Sequence, residues 1–105
     1  MLYVTRGRYK ESVKGEDLLE INKFTDTELI PAVEKVEGVR SAQAYNSITG
    51  ELTFVLDIRD LATIDRLLAD PGCKAVLGKT LAFMVRTGGE VLYDRPLWQE
   101  MYGKS

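Results

Sequence analysis

The chain contains no histidine, one cysteine and one tryptophan. Without histidine there is no Ser-His or Cys-His nucleophile pair, no imidazole base near neutral pH, no proximal haem ligand and no histidine-rich metal site. Any chemistry falls to carboxylates, Tyr, Arg, Asn, Cys or the reactivity of the substrate itself. One cysteine cannot close an internal disulfide, so a reducing, cytoplasmic compartment is expected. Long apolar runs are also missing: the start, Met1-Leu2-Tyr3-Val4-Thr5, alternates like a strand where a signal peptide would carry an apolar core. Fourteen Lys and Arg stand against sixteen Asp and Glu, net charge −2, with the basic residues scattered singly among the acids. Neither nucleic acid nor a membrane is therefore an expected partner.

What is present suits a single domain over residues 1–105, with 94–105 as a C-terminal tail. A chain of this length buries roughly two-thirds of the surface it exposes when unfolded, enough to fold without staples. Its organising stretch is 52–68, where the hydrophobic period changes. Leu52, Phe54, Leu56 and Ile58 alternate with Thr53, Val55, Asp57 and Arg59, the two-residue period of a strand. Asp60 stops the alternation and offers a carboxylate to the free N–H groups of a following helix, in which Leu61, Ile64 and Leu68 recur at helical spacing. Val55 makes the second face of the strand apolar as well, so cover is needed on both sides. One short helix covers one face; a second copy of the chain is the simplest cover for the other.

Residues 2–10 read as a first strand, with Tyr3, Thr5 and Tyr9 on one side. Over 16–36, Leu18, Ile21, Leu29, Val33 and Val36 form one helical stripe that also takes in Thr25. Pro31 lacks a donor and collides with the Thr27 carbonyl, and Thr25 to Glu28 has capping-box spacing, so the helix kinks or restarts there. The stripe keeps its phase, which favours one bent helix ending at Gly38. A second strand follows over 39–47, joined to the organising strand by the hairpin Ser47-Ile48-Thr49-Gly50-Glu51. Asp70-Pro71-Gly72 ends one helix and caps a short second one over 73–77, closed by Gly78. Residues 81–87 make a fourth strand, and Gly88-Gly89 signals a hairpin back through 90–93. In the tail, Leu97, Trp98, Met101 and Tyr102 recur at one-turn spacing. The order predicts an α+β, ferredoxin-like βαββαβ fold, an antiparallel sheet with its helices on one face.

The segments Glu28-Leu29-Ile30-Pro31-Ala32-Val33 and Val36-Glu37-Gly38-Val39 resemble the late first helix, and its Gly turn into strand two, of the antibiotic-biosynthesis-monooxygenase-like proteins of the dimeric α+β barrel superfamily. Arg59-Asp60-Leu61, Leu68-Ala69-Asp70-Pro71-Gly72 and Lys74-Ala75-Val76-Leu77 are similar to that family's second helix and the broken helical segment after it. The resemblance runs from the first strand to Tyr93. It implies a homodimer whose two sheets face each other as a barrel, with a helix–sheet pocket in each subunit. Some relatives oxidise phenolic or quinol-like substrates with molecular oxygen and no added cofactor; others degrade haem, isomerise lactones or have no known activity. The haem-degrading pattern joins an Asn, a Trp and a His, and here His is missing while the Trp lies in the tail, which sets that activity aside.

Two readings stand beside each candidate residue. Asp57, Arg59, Arg6 and Arg86 either hold or deprotonate an acidic substrate, or form a paired ion network inside a dimer interface. Tyr45 and Asn46, near the hairpin, either hydrogen-bond a substrate oxygen or are ordinary strand and turn residues, and Tyr3 and Tyr9 sit similarly on the first strand. Cys73 stands at a helix start that would lower its pKa, or is a small packing residue. The Trp98 tail forms a lid, or packs on its own subunit or on a dimer partner. Gly88-Gly89 lacks the Lys-Ser/Thr and following helix of a phosphate loop. The candidate catalytic set is Tyr45, Asn46, Asp57 and Arg86, with no cofactor and no metal. They would act on a small apolar or aromatic ligand that is deprotonated, gives an electron to oxygen in a dry pocket and recombines. The alternative is a non-catalytic binding or assembly module. An open cleft between helices and sheet favours the first, and a fully packed interface the second.

Overall fold

In the computed structural model, which describes residues 1–103, the organising strand lies inside the sheet as β3, Glu51–Ile58. Burial alternates strictly along it, with Leu52, Phe54, Leu56 and Ile58 inside and Ile58 wholly inaccessible. Its neighbours are β1 (Leu2–Tyr9) and β2 (Val39–Asn46), while β4 (Met84–Leu92) takes the far edge of β1. The order is β2-β3-β1-β4 with every pair antiparallel. Residues paired across an antiparallel ladder share a face. Tyr3 opposite Leu56, Thr5 opposite Phe54, and Ala42 and Ala44 of β2 therefore lie on the helix side.

Helices α1 (Leu18–Phe24), α2 (Ile30–Glu34), α3 (Ala62–Ala69) and α4 (Pro71–Leu81) lie on that one side. They close a core in which Leu29, Val36, Leu67, Cys73 and Val76 pack with the inner residues of β3 and with Met84. This is the expected ferredoxin-like plan. The opposite side of the sheet holds Leu2, Val4, Gln43, Tyr45, Thr53, Val55, Asp57 and Leu92, away from the four helices named above.

Three elements differ from their sequence reading. The first helix neither restarts nor uses a capping box: α1 passes into a π-helical turn, Thr25–Leu29, and then into α2. The Ile30 N–H reaches back to the Thr25 carbonyl, and the threonine hydroxyls bond backward, Thr25 Oγ1 to Ile21 O at 2.9 Å and Thr27 Oγ1 to Lys23 O at 2.6 Å. The wider turn accommodates Pro31, whose ring would meet the Thr27 carbonyl in a regular helix. It also brings residues four apart nearly into line, which is why Ile21, Thr25 and Leu29 are all buried. The second departure is α4, which runs through Gly78 and postpones the last strand from 81 to Met84. Added side chain at Gly78 would meet nothing, so this glycine costs the helix about 1 kcal/mol in propensity and no packing. Buried Val76 and Thr80 on the other face outweigh it.

The third departure is Gly88-Gly89. No hairpin forms there and no extra strand returns; β4 continues through both glycines to Leu92. The whole length of β1 is available as a partner, so pairing along it satisfies more backbone groups than turning back would. The register shifts once, Arg6 facing Gly88 while Gly7 faces Arg86, which leaves Thr87 as the bulged residue.

The joint between β2 and α3 is tight. Gly38 adopts φ +100°, and a Cβ there would run into the Thr63 hydroxyl. Thr63 is itself fully buried and donates from Oγ1 (2.8 Å) and N–H (3.0 Å) to Asp60 Oδ1, the cap expected from the sequence. Gly38→Ala is expected to destabilise the fold by about 3 kcal/mol, from unfavourable backbone and overpacking together, as measured by urea unfolding. The Thr63 hydroxyl bond, aided by Arg59, holds the Asp60 carboxyl below its ordinary 3.8. A carboxyl lowered in the folded state stabilises above its unfolded pKa, and that contribution fades as pH falls through the folded value. Asp60→Asn should therefore flatten the acid limb of the stability profile below about pH 4.

Candidate functional site

Between the sheet and helices α2, α3 and α4 lies a cavity of about 180 Å³. Its floor is the helix side of β1 and β3 with Tyr3, Thr5, Phe54 and Leu56; its walls include Leu29 and Val33, Leu67, and Val76 and Leu77. The π-helical turn contributes directly, since Leu29 ends it and Ile30 follows, and both line the space. The interface between helices and sheet is thus an open cleft rather than a fully packed layer.

Arg86 stands at the edge of this cleft because it lies two residues beyond buried Met84 on the same strand, opposite Gly7 on the helix side of the sheet; the bulge at Thr87 then brings Gly89 to the same side. Its guanidinium lies over Gly89, where a Cβ would come within 2.5 Å of Arg86 Nη2. Several other charged residues on or beside the strands are paired: Arg6 with Glu90 at 2.9 Å, Asp57 with Arg40 at 3.9 Å, Arg59 with Asp60 at 3.3 Å and with Glu37 at 3.7 Å. Among the described residues Arg86 has no such partner.

The four candidate catalytic residues do not meet. Arg86 lines the main cavity. Tyr45 and Asp57 face the opposite side of the sheet, where the Tyr45 hydroxyl bonds the Gln43 side chain. Asn46, on the helix side but at the far end of β2, lines a second hollow of about 200 Å³ with Tyr9, Leu18, Asn22 and Gly50. Only five residues border that hollow, and burial pushes the Tyr9 phenol above its ordinary range. Tyr3 and Thr5 escaped the candidate set as polar residues of the main cavity. The signal was their shared strand face, but nothing in the sequence says which face meets the helices.

Cys73 also lines the cavity, and its environment reverses the effect expected of a helix start. Burial, together with the neighbouring Asp70 carboxylate, pushes the thiol up to about 11. Asp70 is there to cap α4, accepting from the Cys73 N–H at 2.9 Å, and the thiol donates to the Ala32 carbonyl at 3.6 Å. The helix end is already neutralised by its own cap. Cys73 thus packs in the core with its thiol held protonated rather than activated by the helix start. No group of three metal-ligating side chains, and no helix long and apolar enough to cross a membrane, occurs among the described residues.

Comparison with known proteins gives a fold. No family model matches the chain, and no curated protein sequence does. Solved structures match along most of its length. A crystal structure of an antibiotic biosynthesis monooxygenase superposes with TM-score 0.65 and 20% identity, over 90% of this chain and 97% of the other. The chain has the ferredoxin-like fold of these proteins. SnoaB, a cofactor-independent oxygenase from Streptomyces nogalater, matches with TM-score 0.66 and 12% identity, over 89% of this chain and 92% of its own. A dimeric protein of unknown function from Bacteroides fragilis, also described as ferredoxin-like, gives 0.67 and 13% over 89% and 93%.

The state of Cys73 is open to direct measurement. With the thiol at about 11, roughly one molecule in a thousand carries thiolate at pH 8. Reaction with a disulfide reagent should be slow in the native protein and become fast in denaturant. Rapid native labelling at pH 8 would contradict this environment.

Proposed function

We propose that the chain is a small, cytoplasmic, homodimeric α+β barrel protein, a single domain with 94–105 as its tail, whose cavity takes a small aromatic or quinol-like compound. We infer further that it oxidises this compound with molecular oxygen and no added cofactor. The observation that carries the reading is the apolar cavity with one unpaired guanidinium at its edge, the arrangement expected of a pocket that holds an apolar body and one polar group. The resemblance to a cofactor-independent oxygenase of the same fold supports it. In this mechanism the substrate ionises to an electron-rich phenolate or enolate held by Arg86. It gives one electron to oxygen, and the two radicals combine to a hydroperoxide. Loss of water then leaves a carbonyl, one oxygen atom being retained and the other leaving as water. Among the described residues no carboxylate lines the cavity, so the first proton passes to solvent and the set narrows to Arg86.

That missing base also favours a second reading, in which the pocket binds its ligand without transforming it. Oxygen uptake separates the two. With a single-ring hydroquinone, in the dark and without flavin or metal, the purified protein should consume oxygen faster than buffer alone, and Arg86→Ala should lower the rate at least about tenfold. Binding of the same compound with uptake no faster than buffer decides for a binding protein.

The dimer rests on the uncovered side of the sheet and on the C-terminal helix. Val55, Leu2 and Leu92 lie there beside the ion pairs Arg6–Glu90 and Arg40–Asp57, which are already neutralised and so cheaper to cover. Helix α5 (Arg95–Tyr102) makes few contacts with its own subunit, and Trp98, Met101 and Tyr102 are all about half exposed or more. The radius of gyration, 15.0 Å, exceeds the roughly 13 Å of a compact chain of this length. Light scattering should give twice the 11.8 kDa chain mass. Val55→Glu, which puts an unpaired charge in the centre of that face, should give a folded monomer.

A further inference from the structure

The main cavity is lopsided in charge. The charged residues that border it are all cations, Lys74 and Arg86 together with Arg6, whose register opposite Thr53 sets it on the outer face of the sheet, and among the described residues no Asp or Glu borders it. Arg6 is already taken by Glu90. On the floor beside Arg86 stand Thr5, directly across from Gly89, and Tyr3, two residues along on the same face. Neither the Thr5 hydroxyl, the Tyr3 hydroxyl nor the guanidinium has a hydrogen-bond partner among the described residues. Three groups able to donate thus line the same cavity from one face of the sheet; the cavity's other polar lining residues include Lys74 and Thr80 on α4.

Gly89 acquires a reason in this setting. A glycine inside a strand weakens it and marks a bulge or a close approach. Here the close approach is by Arg86, whose Nη2 would lie 2.5 Å from a Cβ on Gly89, and the Val4 carbonyl closes the other side at 3.3 Å. Its place two residues beyond buried Met84 sets Arg86 on the cavity side, the bulge at Thr87 brings Gly89 to that side, and the bare backbone of Gly89 gives the guanidinium a place to lie. Size adds a further limit. A space of about 180 Å³ equals roughly six molecules of liquid water and falls below the roughly 300 Å³ of sites for drug-sized ligands. One aromatic ring or a short chain fills it.

We propose that this cavity binds a small organic monoanion, one ring or a short chain ending in an oxyanion. Its apolar body lies among Leu29, Val33, Phe54 and Leu77, its charged oxygen meets the Arg86 guanidinium, and Gly89 is the specificity-determining residue that seats that guanidinium. The inference rests on the reading of the cavity as a ligand site and adds the charge, the size and the role of Gly89. It holds whether the ligand is oxidised or only held.

The test is a titration with benzoate, and in parallel with its neutral planar counterpart benzamide, followed by the backbone amide spectrum of the full chain. The same spectrum reports whether each variant is folded. Benzoate should shift the amides of Thr5, Phe54 and Gly89 and bind at least about tenfold more tightly than benzamide, since a charge-assisted hydrogen bond exceeds a neutral one by that order. Arg86→Met should abolish the preference, Arg86→Lys should keep part of it, and Gly89→Ala should reduce it without changing the affinity for benzamide. Equal binding of the two probes by the unmodified chain, or a preference that survives Arg86→Met, overturns the anion assignment while leaving the cavity as a ligand site. A preference unchanged in Gly89→Ala overturns the role given to that glycine. Absence of any shift with either probe overturns the cavity reading, and this inference with it.

Discussion

Burial of one side of β3 is the constraint on which the rest of the structure depends. Leu52, Phe54, Leu56 and Ile58 are each worth on the order of 2 kcal/mol when covered. They are covered by Leu29 of the π-helical turn, Val36 just after α2, Leu67 of α3 and Val76 of α4. A strand side-chain period of two means that slipping the pairing by one residue would expose all four. Their burial therefore fixes the register of β1 and β2 on either side. It also decides which residues become cavity floor and which become the outer face of the sheet. Tyr3 and Thr5 are inside because they pair with Leu56 and Phe54; Tyr45 and Asp57 are outside because they alternate with them.

The candidate site follows from two local irregularities laid on this regular frame. A π-helical turn, compatible with Pro31, carries Leu29 and Ile30 to the wall of the cleft. A bulge at Thr87 brings Gly89 onto the helix side, beneath Arg86. Irregular backbone of both kinds is frequent near functional sites because it aims side chains where regular geometry would not. The two faces of the sheet then differ in chemistry. The outer face holds the ion pairs Arg6–Glu90 and Arg40–Asp57, whereas the inner cleft holds the Arg86 guanidinium, without a partner among the described residues.

Much of the fold could be read from the residues in order. The alternation in 52–58, the carboxylate of Asp60, the positive-φ glycine at 38 and the apolar stripe of 16–36 each point to a local conformation that the structure contains. Gly88-Gly89 was read as a turn because glycine pairs usually mark one. Its part in a continuous strand depends on β1 being free to pair along its full length. Gly78 was read as a helix end, but buried Val76 and Thr80 carry the helix past it. The site was less legible than the fold. A helix start suggests an activated thiol at Cys73, but burial first and the capping Asp70 second push it the other way, and the burial is not written in the local sequence. Arg86 was visible as a candidate, but Tyr45, Asn46 and Asp57 were indistinguishable from it as polar residues on or beside strands.

The sequence by itself determined the order of the main elements and the apolar character of both sides of β3. These follow from periodicities of two and 3.6 and from residues whose backbone preferences act over a few neighbours. Tertiary structure alone decided which polar residues share a space, that Arg86 lies over Gly89, and that the thiol of Cys73 is held protonated. Those outcomes depend on which side of the sheet the helices cover and on one residue of bulge in the last strand. Both are settled by contacts between segments far apart in the chain, and no local pattern records them.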